Sequence, residues 1–180
     1  MNLDAYKQEL LKPSARQARR EACQVCADSI QRCGDALWAF GMVDDARRRA
    51  LATVLQMGGG LAKGCVAMLI QSNWYAAAAL SRQLVEIEYL VWLFGTDPEE
   101  GKAWLSVTQK DLRRTYNPSA MRKRSEGQFR DREYWSHCEI GGHPNPRAAF
   151  LLSDRLLPND SASLAFAADI ERRFLPEFSF

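Results

Sequence analysis

The chain has 180 residues, 24 Lys+Arg against 22 Asp+Glu, a net charge of +2, 47% apolar and 26% charged residues. Such a length fits one domain, which buries roughly 70% of the surface its unfolded chain exposes, and that apolar content excludes a disordered chain, which cannot bury enough surface to offset its entropy. The near-neutral total also excludes a uniformly basic polyanion binder and leaves open a local one.

Residues 1–12 mix Asp4, Lys7 and Glu9 with scattered apolar side chains and lack the continuous apolar stretch of a signal peptide. The most apolar stretch, 61–94, is interrupted by Lys63, Arg82, Glu86 and Glu88, so no membrane span and a cytoplasmic location are expected. The five cysteines, Cys23, Cys26, Cys33, Cys65 and Cys138, are an odd set without a signal peptide and read as reduced thiols. Cys23-x-x-Cys26 has no second pair to complete a zinc tetrahedron, so buried thiols are expected, with no metal and no cofactor.

The chain reads as all-α, since alternating β-branched runs with hairpin turn signals are absent. A first helix runs from an N-cap at Ser14 to about Phe40, with Ala22, Cys26, Ile30, Cys33 and Leu37 at spacings of three and four. Asp44 or Asp45 caps the next, which carries Ala50, Val54 and Met57. Gly58-Gly59-Gly60 then either breaks that helix or lets another backbone pack closely against it.

After a cap at Ser72 or Asn73, a third helix spans about 74–94. It is apolar around most of its circumference and so belongs at the centre of a bundle. Asp97-Pro98-Glu99-Glu100 starts a fourth, expected to continue to about Tyr116. A short basic helix at 120–124 and a helix over 129–140 follow. Residues 141–146, Gly-Gly-His-Pro-Asn-Pro, read as non-helical, and 147–152 and 162–174 read as final helices. The aromatic tail, Phe178 and Phe180, docks against the bundle or a second subunit if it is not the start of a missing helix. One domain, 1–180, is expected, with 1–44 forming an N-terminal helix that packs on the bundle.

Three places can carry chemistry. Arg82 and Glu86, four apart on the central helix, are either a tie between helices or the base of a polar site. His137 and His143, the two histidines, lie within seven residues of each other, and histidine is the side chain suited to proton transfer near neutral pH. Gly141 and Gly142 before His143, with Pro144 and Pro146 after it, would aim that imidazole over a cleft. Residues 110–132 hold eight bases against three acids, a local charge of +5 that leaves −3 for the rest of the chain. In that segment Arg113, Arg114, Arg122, Lys123 and Arg124 are candidate contacts to a polyanion.

Arg132-x4-His137 has the spacing of the Arg-x4–6-His signature of HEPN domains (higher-eukaryote and prokaryote nucleotide-binding). The order Arg82-x3-Glu86, Trp104, a basic segment, then Tyr134-x3-Cys138-x3-Gly142-His143-Pro144 resembles uncharacterised, mostly bacterial HEPN-like proteins whose signature ends in a Gly-His-Pro turn. The resemblance covers about 45–152. It implies an all-α bundle of about five to seven helices, a homodimer, and either a metal-independent RNase of the kind found in toxin and phage-defence systems or a non-catalytic module for nucleotide, nucleic acid or protein. The RNase signature selects Arg132 and His137; the Gly-His-Pro pattern selects His143, with Arg82, Glu86 and Tyr134 around it. On an ideal helix Arg132 and His137 stand about 140° apart at 100° per residue, which favours His143.

Overall fold

The computed structural model describes residues 12–40, 45–142, 144 and 146–152. They form seven α-helices: α1 (Pro13–Phe40), α2 (Ala46–Ile70), α3 (Trp74–Thr96), α4 (Pro98–Leu105), α5 (Gln109–Thr115), α6 (Pro118–Arg124) and α7 (Asp131–His137). A π-helical turn (Cys138–Gly142) and a 3-10 helix (Pro146–Leu152) follow, and no strand occurs among the described residues. The protein is an all-α bundle. The helix expected over 162–174, the aromatic tail and His143 lie outside the described residues.

Caps set the long helices. Asp45 accepts the Arg48 N–H, and Asn73 accepts the Ala76 N–H. Three glycines do not break α2, which runs through them because α1 lies against it. A Cβ on Gly59 would stand 2.7 Å from the Gln31 Cα, and one on Gly34 would stand 2.8 Å from the Gln56 backbone nitrogen. Only glycine allows helix axes this close.

α2 lies between α1 and the pair α3 and α4. Among the described residues it is also the one helix long and apolar enough to cross a membrane, with a mean hydropathy of 1.4 over its best window. This helix begins at Ala46, ahead of the 61–94 stretch that reads as most apolar in the sequence. Its buried face, including Ala50, Val54, Ala62 and Val66, packs into the bundle, as a core helix does.

α3 is the hub, meeting α2, α4, α6, α7, the π turn and the 3-10 helix. Val85, Tyr89, Leu93 and Phe94 bury against Val54, Met121 and Tyr134. Arg47 reaches from α2 to the end of α3, donating to the carbonyls of Phe94 (2.8 Å) and Gly95 (2.9 Å). A cation thus caps the negative end of α3.

The expected fourth helix is two. Ser106 turns its hydroxyl back onto the Lys102 and Ala103 carbonyls and ends α4, and Thr108 accepts the Asp111 N–H to start α5. Hydroxyls that offer the backbone other partners interrupt helices. The helix expected over 129–140 is shifted: α7 starts at Asp131, after a loop in which the buried Ser125 hydroxyl donates to the Arg122 carbonyl and accepts the Phe129 N–H. Its last turn widens to π geometry and includes Gly141 and Gly142, which had been read as non-helical. The cause is contact rather than turn freedom, since a Cβ on Gly141 would stand 2.4 Å from the Ala78 carbonyl group of α3.

Candidate functional site

α3 presents Arg82 and Glu86 one turn apart, half-buried, and their side chains pair at 2.9 Å. α7 crosses above and supplies Tyr134, whose ring is buried in the core while its hydroxyl meets both. Arg82 Nη2 donates to Tyr134 Oη at 3.0 Å, and Tyr134 Oη donates to Glu86 Oε1 at 3.4 Å. The π turn brings Cys138 and Gly142 to the other side of the guanidinium; a Cβ on Gly142 would stand 3.3 Å from Arg82 Cδ.

Burial, the largest influence on the Tyr134 phenol, holds it above its ordinary pKa; Arg82 pulls it down, and Cys138 and the Glu86 charge push it up. Burial would lower the Arg82 pKa, but its hydrogen bonds to Tyr134 and Cys138 and the Glu86 charge outweigh that and raise it. Near neutral pH the guanidinium is therefore protonated, paired with Glu86, and the phenol is neutral. The pair's charges cancel, which makes the cluster a clamp between α3 and α7. Arg82 Nε is buried with no hydrogen-bond partner among the described residues.

Two cations lie near the Tyr134 ring. The Arg122 guanidinium carbon lies 4.3 Å from its centroid and that of Arg82 lies 5.8 Å away. Arg122 is itself buried, with Nε donating to Asp131 at the start of α7. Burial would lower its pKa, but hydrogen bonds to Asp131 and Tyr89 hold it above the ordinary value. Farther along, Arg124 pairs with Glu100 of α4, which also accepts from the Tyr116 hydroxyl at 2.8 Å.

The structure therefore divides the residues singled out in the sequence. Arg82, Glu86 and Tyr134 come together. Arg132 is exposed, its carbonyl accepting from the Ser136 hydroxyl, and His137 is half-buried at the end of α7. Two members of the expected basic surface have partners in neighbouring elements: Arg122 is buried and donates to Asp131, and Arg124, exposed, pairs with Glu100 of α4. Arg114 is exposed beside Asp111, at 2.9 Å. Lys110, Arg113, Lys123, Arg130 and Arg132 are exposed and make no ion pair among the described residues.

Sequence reasoning did not assign Cys138 to the cluster, although its four-residue spacing from Tyr134 signals a shared helix face. It also missed Asp131 and Glu100, whose partners are nine and 24 residues away. None of the five cysteines forms a disulfide. Cys65 is buried, donates to the Ala77 carbonyl and has its thiol pKa pushed up to about 12 by burial and by Cys23. No group of three or more His, Cys, Asp or Glu among the described residues could hold a metal ion. Compared with family models, curated proteins and solved structures, the chain matches none.

Proposed function

We propose that the protein is a HEPN-like helical module that binds single-stranded RNA through the basic face of α5, α6 and α7. The carrying observation is the concentration of charge: residues 110–132 hold the chain's local excess of +5, and Lys110, Arg113, Lys123, Arg130 and Arg132 are exposed there without ion-pair partners among the described residues. Cations free of internal partners are the ones that neutralise phosphates and release counterions. The resemblance adds a homodimer to this reading, which sedimentation checks.

Labelled RNA titrated by anisotropy across a salt series tests it. Binding should weaken steeply with salt, and each of Arg113→Gln and Arg132→Gln should lower the log–log slope by about 0.7. Absence of binding at low salt would overturn the proposal. A second reading, metal-independent RNA cleavage, is favoured by the convergence of Arg82, Glu86, Tyr134 and Cys138 beside the π turn that leads to His143. In it a histidine, His143 or His137, moves the proton of the 2′-hydroxyl or leaving group, and an arginine stabilises phosphate charge. RNA incubated with the protein in chelator is then cleaved, and His143→Ala, His137→Ala and Arg82→Ala identify the participants.

A further inference from the structure

Between α6 and α7 lies a cleft of about 390 Å³, lined by Ser119, Arg122, Lys123, Phe129, Arg130 and Asp131 among others. That volume is within the range of small-ligand sites. Three cations against one carboxylate give it a local charge of +2.

Arg122 makes the cleft more than a charged surface. Its residue exposure is 7%, so its guanidinium is held in place before any ligand arrives. The Tyr134 ring covers it at 4.3 Å, Asp131 takes Nε, and Nη1 is buried with no hydrogen-bond partner among the described residues. A buried donor without an acceptor is costly, and a phosphate oxygen is the acceptor that a guanidinium fork fits best. Asp131, by contrast, has 76% of its side chain exposed. Its carboxylate stands where an anion would, and it can swing away into water.

Phe129 adds a second element of recognition. Its ring packs on Tyr89 at 4.4 Å and edge-on to Trp92 at 5.4 Å, so it is fixed where it borders the cleft. A fixed aromatic beside a cationic groove is the arrangement on which nucleic-acid bases stack.

We propose that this cleft binds the phosphate of a nucleotide, either free or as one unit of a single strand, with Arg122, Lys123 and Arg130 as its cations and Asp131 as an internal competitor. The inference deepens the RNA-binding reading and rests on it for the strand, but not for the free nucleotide.

Calorimetry of the full chain with adenosine 5′-monophosphate and with adenosine tests it, alongside RNA anisotropy. The monophosphate should bind at least about tenfold more tightly than adenosine, because the phosphate carries the charge-assisted contacts. Asp131→Asn should tighten monophosphate binding by about threefold or more, by removing a like charge. Lys123→Gln combined with Arg130→Gln should weaken it about tenfold and lower the RNA salt slope by about 1.4. Arg113→Gln should leave monophosphate binding unchanged. Arg122 is spared substitution because its burial ties it to folding. Displacement of RNA by the monophosphate assigns the cleft to the strand; monophosphate binding without displacement assigns it to a free nucleotide. Either outcome supports the phosphate site. Failure to bind the monophosphate, or binding indifferent to both the Asp131 and the Lys123/Arg130 variants, overturns it. If RNA still binds in that case, the cleft alone is wrong; if RNA fails and the monophosphate binds, the RNA reading alone is wrong.

Discussion

Along the seam of α1 and α2 the backbones approach until glycine is the only residue that fits at Gly34 and Gly59, and Ala27, Ala50, Ala52 and Ala62 fill the remaining core. Across α4 to α7 the helices are eight residues or shorter and are joined by charged and aromatic side chains: Arg82 to Tyr134, Arg122 to Asp131, and Arg124 and Tyr116 to Glu100. Shape holds the first region, and exchangeable polar partners hold the second. A close-packed seam has no room to accept a ligand. A set of ion pairs with one partly exposed partner can exchange that partner for a ligand's charge, so the proposed binding is assigned to the short helices.

The largest expected effect lies where the π turn after α7 packs on α3. Gly141→Ala places a methyl group 2.4 Å from the Ala78 carbonyl, backbone against backbone. It should destabilise by about 3 kcal/mol, the upper end of overpacking, and denaturant unfolding would measure it. Stability equal to the parent would mean that the π turn does not sit on α3. Within the seam, Gly59→Ala should destabilise by about 2 kcal/mol because its neighbour is the Gln31 Cα, which cannot rotate away. The adjacent Gly60 has nothing within 4 Å of its would-be Cβ. Gly60→Ala should therefore stabilise by about 0.5–1 kcal/mol through helix propensity. Opposite signs at neighbouring glycines are the signature of a one-sided close contact.

Tyr134→Phe removes the hydroxyl that joins α3 to α7 while keeping the ring. It should cost about 1 kcal/mol, the net worth of a hydrogen bond to a charged group that stays partly solvated. RNA binding should be unaffected, since the basic face does not include this hydroxyl. A large loss of binding at unchanged stability would move the site from the short-helix face to the clamp.

What the sequence made legible follows the same division. Helical spacing, the cap at Asp97, the cap pairs Asp44/Asp45 and Ser72/Asn73, from which the structure selects Asp45 and Asn73, and the all-round apolar character of α3 describe the long helices because those signals are local. The glycine run left two outcomes open, and only the position of α1 decides between them. In the short helices the deciding interactions join distant residues. Nothing near Arg122 in sequence shows that it is buried, and nothing near Arg124 shows that Glu100 waits for it. Counting bases in 110–132 therefore gives the net charge but not which bases are already paired: Arg122 and Arg124 hold Asp131 and Glu100, while Arg130 and Arg132 are exposed and make no ion pair among the described residues. Arg82, Glu86 and Tyr134 were nameable as a group from the resemblance, while their cancellation of charge became visible only with the distances between them.

The smallest effect concerns the cluster that ties α4 to α6. Burial raises the Glu100 pKa, but the hydrogen bonds from Arg124 and Tyr116 and the Arg124 charge outweigh it, so its folded pKa lies below the ordinary 4.5. A depressed carboxylate contributes stability that is fully present above its unfolded pKa and is lost as pH falls through the folded value. Tyr116 behaves in the opposite sense. Burial and then Glu100 push its pKa from 10.0 to about 12, so the unfolded chain releases that proton first and stability falls as pH rises between those values. One cluster thus shapes both edges of the stability profile. Glu100→Gln should flatten the acid edge below pH 4.5 and also shrink the alkaline edge, because it removes the charge that helps raise Tyr116. Tyr116→Phe should abolish its alkaline contribution and leave most of the acid edge, which Arg124 still supports. Each change should amount to about 0.5 kcal/mol near neutral pH, as for partly solvated ion pairs, and melting followed across pH measures it. An acid edge unchanged in Glu100→Gln would show that Arg124 is not tied to α4. Arg124 would then rejoin the cations available to a polyanion, and the difference between the two regions would narrow to the buried Arg122.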